Sequence, residues 1–306
     1  MKLYKRPGRQ LKVVLSSFIF CVICSCDTDP NPSPNPATST DFETTPQKVA
    51  ITPGVIDEAS GIVASYSMPG NFWINQDSGQ PGSLYLLSAD GKNVKEMKIP
   101  GATNRDWEDV AIGPGPASGV NYLYIGDIGD NANSAPVSVI YRVPEVADAN
   151  ASFDQNALEK ISFTYPDGPR DAESLLLDPA TKDIFVLSKS GQGTSVYRLP
   201  FPQSTSETMV AEKVGTMPGV ILATGGNISK DGTEILVRTY LAVSYWKVKS
   251  GESVAQTLTQ AATKSLLVAL EPQGEAVCMD VEGKGFYTIS EKANASSVTL
   301  NYYKKK

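Results

Sequence analysis

The stretch Glu173-Ser174-Leu175-Leu176-Leu177-Asp178-Pro179-Ala180-Thr181-Lys182-Asp183-Ile184-Phe185-Val186-Leu187-Ser188-Lys189 reads as two short strands around a Pro-containing turn. An acid stands at the entrance of the first strand and a charged residue at the exit of the second, sixteen positions on. The pattern recurs. Glu275 opens an apolar run through Met279, and Glu291 ends the strand that begins at Phe286, again sixteen positions on. Glu108 leads to Asp127, and Glu58 to Asp77, each after nineteen positions. A fifth copy runs from Thr224 to Tyr240 at the sixteen-residue spacing, but without the acid. Strand pairs repeated about every 50 residues are the signature of a β-propeller.

The segments between these motifs are short, rich in Val, Ile, Tyr and Phe, and separated by Gly, Pro, Asn and Asp. Counting from each motif yields an all-β propeller of five four-stranded blades. The last blade lacks one strand at the C-terminus, and Lys48–Thr52, ahead of the first motif, is available to close it. Six blades is the alternative, and it would need a sixth motif. In a propeller the first strand of a blade lines the central channel and the second runs antiparallel beside it. All the motif residues therefore converge on one mouth of that channel.

Residues 1–25 read as a lipoprotein signal peptide. Lys2, Lys5, Arg6, Arg9 and Lys12 precede the apolar run Val13 to Cys24, which is too short to span a bilayer. The run ends in Val22-Ile23-Cys24-Ser25-Cys26, similar to the bacterial lipobox, which makes Cys26 the expected lipidated residue. Residues 26–46, with Pro30, Pro32, Pro34, Pro36 and Pro46, read as a disordered tether that buries nothing. Residues 47–306 remain as a single propeller domain. The expected location is the bacterial cell envelope, as an outer-membrane lipoprotein on the periplasmic or surface side, held to the membrane through Cys26. A monomer is expected, with an envelope protein or another ligand as partner.

Without the five cations of the leader, 22 basic residues face 33 acids, a net charge near −11. That balance argues against nucleic acid and anionic lipid. The chain has no histidine, which removes Ser-His-Asp catalysis and histidine-ligated metals. Cys278 is the one cysteine of residues 47–306, so the folded region cannot form an internal disulfide. Crowded carboxylates must take up protons or a cation, and an all-oxygen set suits Ca²⁺. Glu108, Asp109, Asp127, Glu173, Glu275 and Glu291 are the expected cation ligands. Glu58, Asp77, Arg105, Arg170, Lys189, Thr224 and Tyr240 are expected around them at the ligand mouth. In the alternative reading the same acids accept backbone N–H bonds from adjacent blades and hold the ring closed. Arg105 and Arg170 read either as ion-pair partners of Asp106 and Asp171 or as an anion clamp.

The motifs Asp106-Trp107-Glu108-Asp109-Val110-Ala111, Asp171-Ala172-Glu173-Ser174-Leu175 and Glu271-Pro272-Gln273-Gly274-Glu275-Ala276 resemble those of a family of secreted bacterial β-propellers. That likeness covers residue 50 to the end and implies the fold without an activity. More distantly, five blades with an acid in the channel are similar to calcium-activated apyrases, and the layout is similar to calcium-dependent propeller phytases. The acid ring is read as the cation site of a binding or scaffold module; the alternative is a metal-dependent hydrolase of phosphate or other esters. In the second case Glu108 and Glu173 are the candidate bases, and Lys189 is the candidate anion contact. Those families surround their metal with several basic residues. Here Lys189, Arg238, Arg105 and Arg170 are the candidates.

Overall fold

A computed structural model describes residues 41–306. The signal peptide, Cys26 and most of the tether lie outside the described residues. The chain enters through β1 (Gln47–Ala50). The first blade follows as β2 (Ala59–Ala64), β3 (Asn71–Gln76), β4 (Ser83–Ser88) and β5 (Val94–Lys98). The second holds β6 (Trp107–Pro114), β7 (Asn121–Asp127), β8 (Ser138–Pro144) and β9 (Glu159–Thr164). The third holds β10 (Ala172–Leu177), β11 (Ile184–Ser188) and β12 (Ser195–Leu199); after the two-residue β13 (Met209–Val210) its fourth strand is β14 (Glu212–Thr216). The fourth holds β15 (Ala223–Ile228), β16 (Glu234–Thr239), β17 (Val243–Lys247) and β18 (Lys264–Leu266). The fifth holds β19 (Gln273–Met279), β20 (Gly285–Glu291) and β21 (Thr299–Lys304).

Each blade is an antiparallel sheet, and β1 supplies the fourth strand of the last, pairing Gln47 with Tyr302 and Ala50 with Thr299. The protein is a five-bladed β-propeller. Closure by β1 leaves the fifth blade as complete as the others and covers an edge that would otherwise stay open. The strand β13 departs from expectation. Although it directly precedes β14 of blade 3, β13 pairs in parallel with β9 of blade 2. It ties two blades together at their outer rim. A short helix, α1 (Val254–Leu258), also has no periodic signal in so few residues; Ser253 and Gln256 form a capping box around its start.

Burial follows position in the blade. The inner strands β2, β10 and β15 are buried at every residue, because both of their faces meet neighbouring blades. The outer β5 and β14 are mostly exposed and carry Lys and Glu. Trp73, Trp107 and Trp246 are fully buried. Cys278 is likewise buried, and burial pushes its thiol up, as expected for an inert core residue. The tether reading needs one correction at its end. Phe42 is buried, edge-on to Tyr245 and Phe286, and bridges Lys305. The folded domain therefore begins before residue 47. Strand polarity puts this entry point at the end of the blades opposite the mouth, where Glu43 N–H meets the Lys304 carbonyl at 2.8 Å.

Candidate functional site: an acidic channel mouth

Each inner strand carries one irregularity, always at its first turn of pairing. The register slips between Ala59 and Gly61, Trp107 and Asp109, Ala172 and Ser174, Ala223 and Gly225, and Gly274 and Ala276. The five residues left unpaired are Ser60, Glu108, Glu173, Thr224 and Glu275. A bulge leaves one residue outside the ladder and re-aims its side chain, so five bulges at one level build a ring at the mouth. Four of those residues were found by sequence. The fifth was misplaced: Ser60 occupies the inner position, and Glu58 stands two residues earlier.

This register reassigns two further acids. Asp106 and Asp171 stand two residues before their bulges, at the level of Glu58. Neither is the main ion-pair partner of its neighbouring arginine. Arg105 donates to the carbonyls of Gly129 (2.7 Å) and Asp127 (3.1 Å) and lies 3.6 Å from the Asp127 carboxylate. Arg170 pairs with Asp167 at 3.0 Å and donates to the Tyr197 hydroxyl. Asp106 and Asp171 instead join Glu108. Carboxylate oxygens of Asp77, Asp106 and Glu108 lie within 4.8 Å of one another, as do those of Glu108, Asp171 and Glu173. Glu108 belongs to both groups. The shared offset before the bulge in blades 1 to 3 was the signal that could have found Asp106 and Asp171. Gly129 makes the approach possible, since a Cβ there would stand 2.2 Å from Glu108 Oε1 and 2.5 Å from Asp106 Oδ2.

The remaining residues divide by role. Lys189 forms an ion pair with Glu173 and lies 5.2 Å from the centre of the Tyr240 ring. Thr224 donates to the Gly274 carbonyl at 3.0 Å, joining blades 4 and 5. Asp127 accepts from the Asp106 N–H at 2.9 Å. Asp109, an expected cation ligand, points the other way. Its carboxylate accepts from Val110, Leu175 and Gly226 N–H at 2.8, 2.9 and 3.1 Å, linking the inner strands of three blades. At 1 % exposure it is the inter-blade tie that the alternative reading described. Arg238 is fully buried against Glu271, next to Gly274 and with its Nε and Nη1 unpartnered.

Charge crowding shows in the protonation of the ring. Burial pushes Glu108 well above the usual carboxylate range, and Glu173 and Asp77 push it further. Burial likewise raises Glu173 to about 8, with Lys189 opposing and Glu275 adding to the rise. Glu291 reaches about 8 through burial and the charges of Glu275, Glu58 and Asp77. Asp106 reaches about 6 through burial and Asp77, and burial also raises Glu275. Lys189, although partly buried, holds its proton more tightly because Glu173 faces it. Lys189, Arg105 and Arg238 oppose the rise at Glu173, Asp106 and Glu275 without cancelling it. Glu173 Oε2 is buried without a hydrogen-bond partner inside the Glu108–Asp171–Glu173 group.

No family model matches the chain, and no curated protein is similar to it, so the motif resemblance has no support from those comparisons. Among solved structures the chain is similar to a calcium structure of a Carbohydrate-Active Enzymes Family AA12 protein from Trichoderma reesei. That likeness has 9% identity and a TM-score of 0.47, over 92% of this chain and 100% of that one. It is also similar to a luciferin-regenerating enzyme, at 14% identity and a TM-score of 0.42, over 82% of this chain and 81% of that one. Values this low transfer no role.

Proposed function

We propose that the mouth binds a divalent cation, Ca²⁺ by its chemistry, and that the protein is a binding module whose ligand docks on that cation. The observation that carries this reading is the buried, unpartnered Glu173 Oε2 within a carboxylate group centred on Glu108. A buried carboxylate oxygen without a donor costs free energy unless a proton or a cation meets it. The donor set fits the hard, oxygen-seeking ion. Two oxygens bound to one Ca²⁺ at about 2.4 Å can stand at most about 4.8 Å apart, and the oxygens of each group lie within 4.8 Å of one another. Asp77, Asp106, Glu108, Asp171 and Glu173 would hold it. Asp109 would not, since its lone pairs already serve three N–H groups. Elemental analysis of the purified full-length protein, with melting curves before and after exhaustive chelation, tests the reading. No bound metal and an unchanged midpoint would sink it.

The hydrolase alternative is less well supported. Phosphate chemistry needs cations free to meet the anion; Lys189, Arg105 and Arg170 are engaged by carboxylates or carbonyls, and Arg238, whose Nε and Nη1 have no hydrogen-bond partner, is fully buried. Turnover of nucleotides, phytate or simple esters that is lost in Glu173→Gln would reverse this ranking. We further propose that Cys26 is lipidated and holds the protein at the cell envelope. Among the described residues no helix is long and apolar enough to cross a membrane.

A further inference from the structure

We propose that a polar pocket on top of blade 3 receives a neutral, hydroxyl-rich ligand the size of one sugar ring, which meets the mouth at Asp171. The inference rests on the mouth being a cation site and names the class of ligand that docks there. The pocket has a volume of about 350 Å³ and lies between the β7–β8 loop of blade 2 and the ends of β10, β11, β12 and β14. That is the small end of the range for ligand sites, of order 300–1,000 Å³, and suits a single compact molecule.

The lining decides the class by elimination. It contains no aliphatic or aromatic side chain, which excludes an apolar ligand. It has two cations, Arg170 and Lys189; Lys189 pairs with Glu173, and Arg170 with Asp167, which also takes Lys213 from outside the lining. Asp171 adds a negative charge, so an anion finds no unbalanced partner. What remains is hydrogen-bonding capacity. Among the described residues the Gln192 amide and the Ser195 and Thr216 hydroxyls form no side-chain hydrogen bond. The Ser188 and Ser190 hydroxyls accept from backbone N–H groups at 2.9 and 3.2 Å and keep their own protons to donate. A hydroxyl both donates and accepts, so groups of this mixed kind match a ligand that carries hydroxyls all around. Asp171 belongs both to this lining and to the Glu108–Asp171–Glu173 group. Ca²⁺ takes six to eight oxygens, more than three carboxylates need fill, and ligand hydroxyls can complete the set.

Calorimetric titration of the full-length protein tests the proposal. Glucose, galactose, mannose and glycerol serve as neutral probes and inorganic phosphate as the anionic counter-probe, each with calcium chloride and with chelator. At least one neutral probe should bind, and Gln192→Ala with Thr216→Ala should weaken it about tenfold, as expected for two lost hydrogen bonds. Direct Ca²⁺ titration of that variant should be unchanged. Binding of phosphate alone, binding of no probe, or affinity indifferent to the double variant overturns the proposal. A neutral probe that binds equally well in chelator, and is weakened by the variant, keeps the pocket and overturns the cation reading. Calcium binding with no neutral probe does the reverse.

Discussion

The same five inner strands begin at one end of the channel and finish at the other, and the two ends are chemical opposites. At the mouth stand the bulged residues Ser60, Glu108, Glu173, Thr224 and Glu275. Four residues further along each strand stand Ala64, Ile112, Leu177, Ile228 and Met279, all buried. Four of these last five line a residual space of about 10 Å³, and Lys230 covers the adjoining Tyr66 ring at 4.5 Å. Such a space holds about one water. The floor is thus closed by close packing, whereas the mouth holds charges that packing cannot reconcile. Between the two, Asp109 ties three strands together. The lesson is that one ring of strands stores its stability at the floor and its unsatisfied chemistry at the mouth.

The largest effect should come from the floor. Met279→Ala should cost about 2–5 kcal/mol of stability, as cavity-forming core truncations do, while leaving Ca²⁺ affinity unchanged. A denaturant melt beside a calcium titration checks both halves. At the mouth, saturating Ca²⁺ at 100 times its Kd should add about 2.7 kcal/mol of stability, and Glu108→Gln should abolish that gain. If Glu108→Gln still shows a calcium-dependent midpoint, the two carboxylate groups do not share one ion.

In chelator, pH should separate the ends further. Glu173 and Glu291 hold their protons up to about 8 in the folded state against an ordinary value of 4.5. The folded state thus binds more protons than the unfolded one between those values. Their contribution to stability is full below about pH 4.5 and is lost as pH rises through about 8. Calcium should flatten this slope, because the cation replaces the protons. A slope of the opposite sign in chelator would show that the mouth acids are ionised and paired instead.

Asp109→Asn should cost about 1–3 kcal/mol, the range for leaving buried N–H partners unmet, with calcium affinity retained. That outcome would assign Asp109 to the scaffold. The smallest change should follow Lys189→Met. Glu173 loses its counter-charge, and calcium affinity should rise severalfold, read by titration; a fall would mean that Lys189 supports the site rather than competing with the ion.

Much of this could be read from the sequence, for a physical reason. Strand pairing is local within a blade, so alternating apolar segments and Gly, Pro and Asp turns mark each blade along the chain. The closing role of the N-terminal strand followed from the missing partner of β21. Tertiary register was needed for what the motifs could not carry. Glu58 and Ser60 look interchangeable in a linear pattern, and only the bulge tells which one enters the ring. Asp109 sits beside Glu108 in the chain, yet it serves N–H groups on two other blades, since successive strand residues face opposite ways.

The sequence by itself determined five blades, the acid repeat, the absence of histidine chemistry and the closure by β1. These depend on composition and on pairing between neighbours in the chain. Which acids meet was decided by tertiary structure alone. Asp77, Asp106, Glu108, Asp171 and Glu173 come from three blades, and their spacing is set by how the blades pack around the axis. No local pattern encodes that distance, because the free energy that fixes it lies in contacts between strands far apart in the chain.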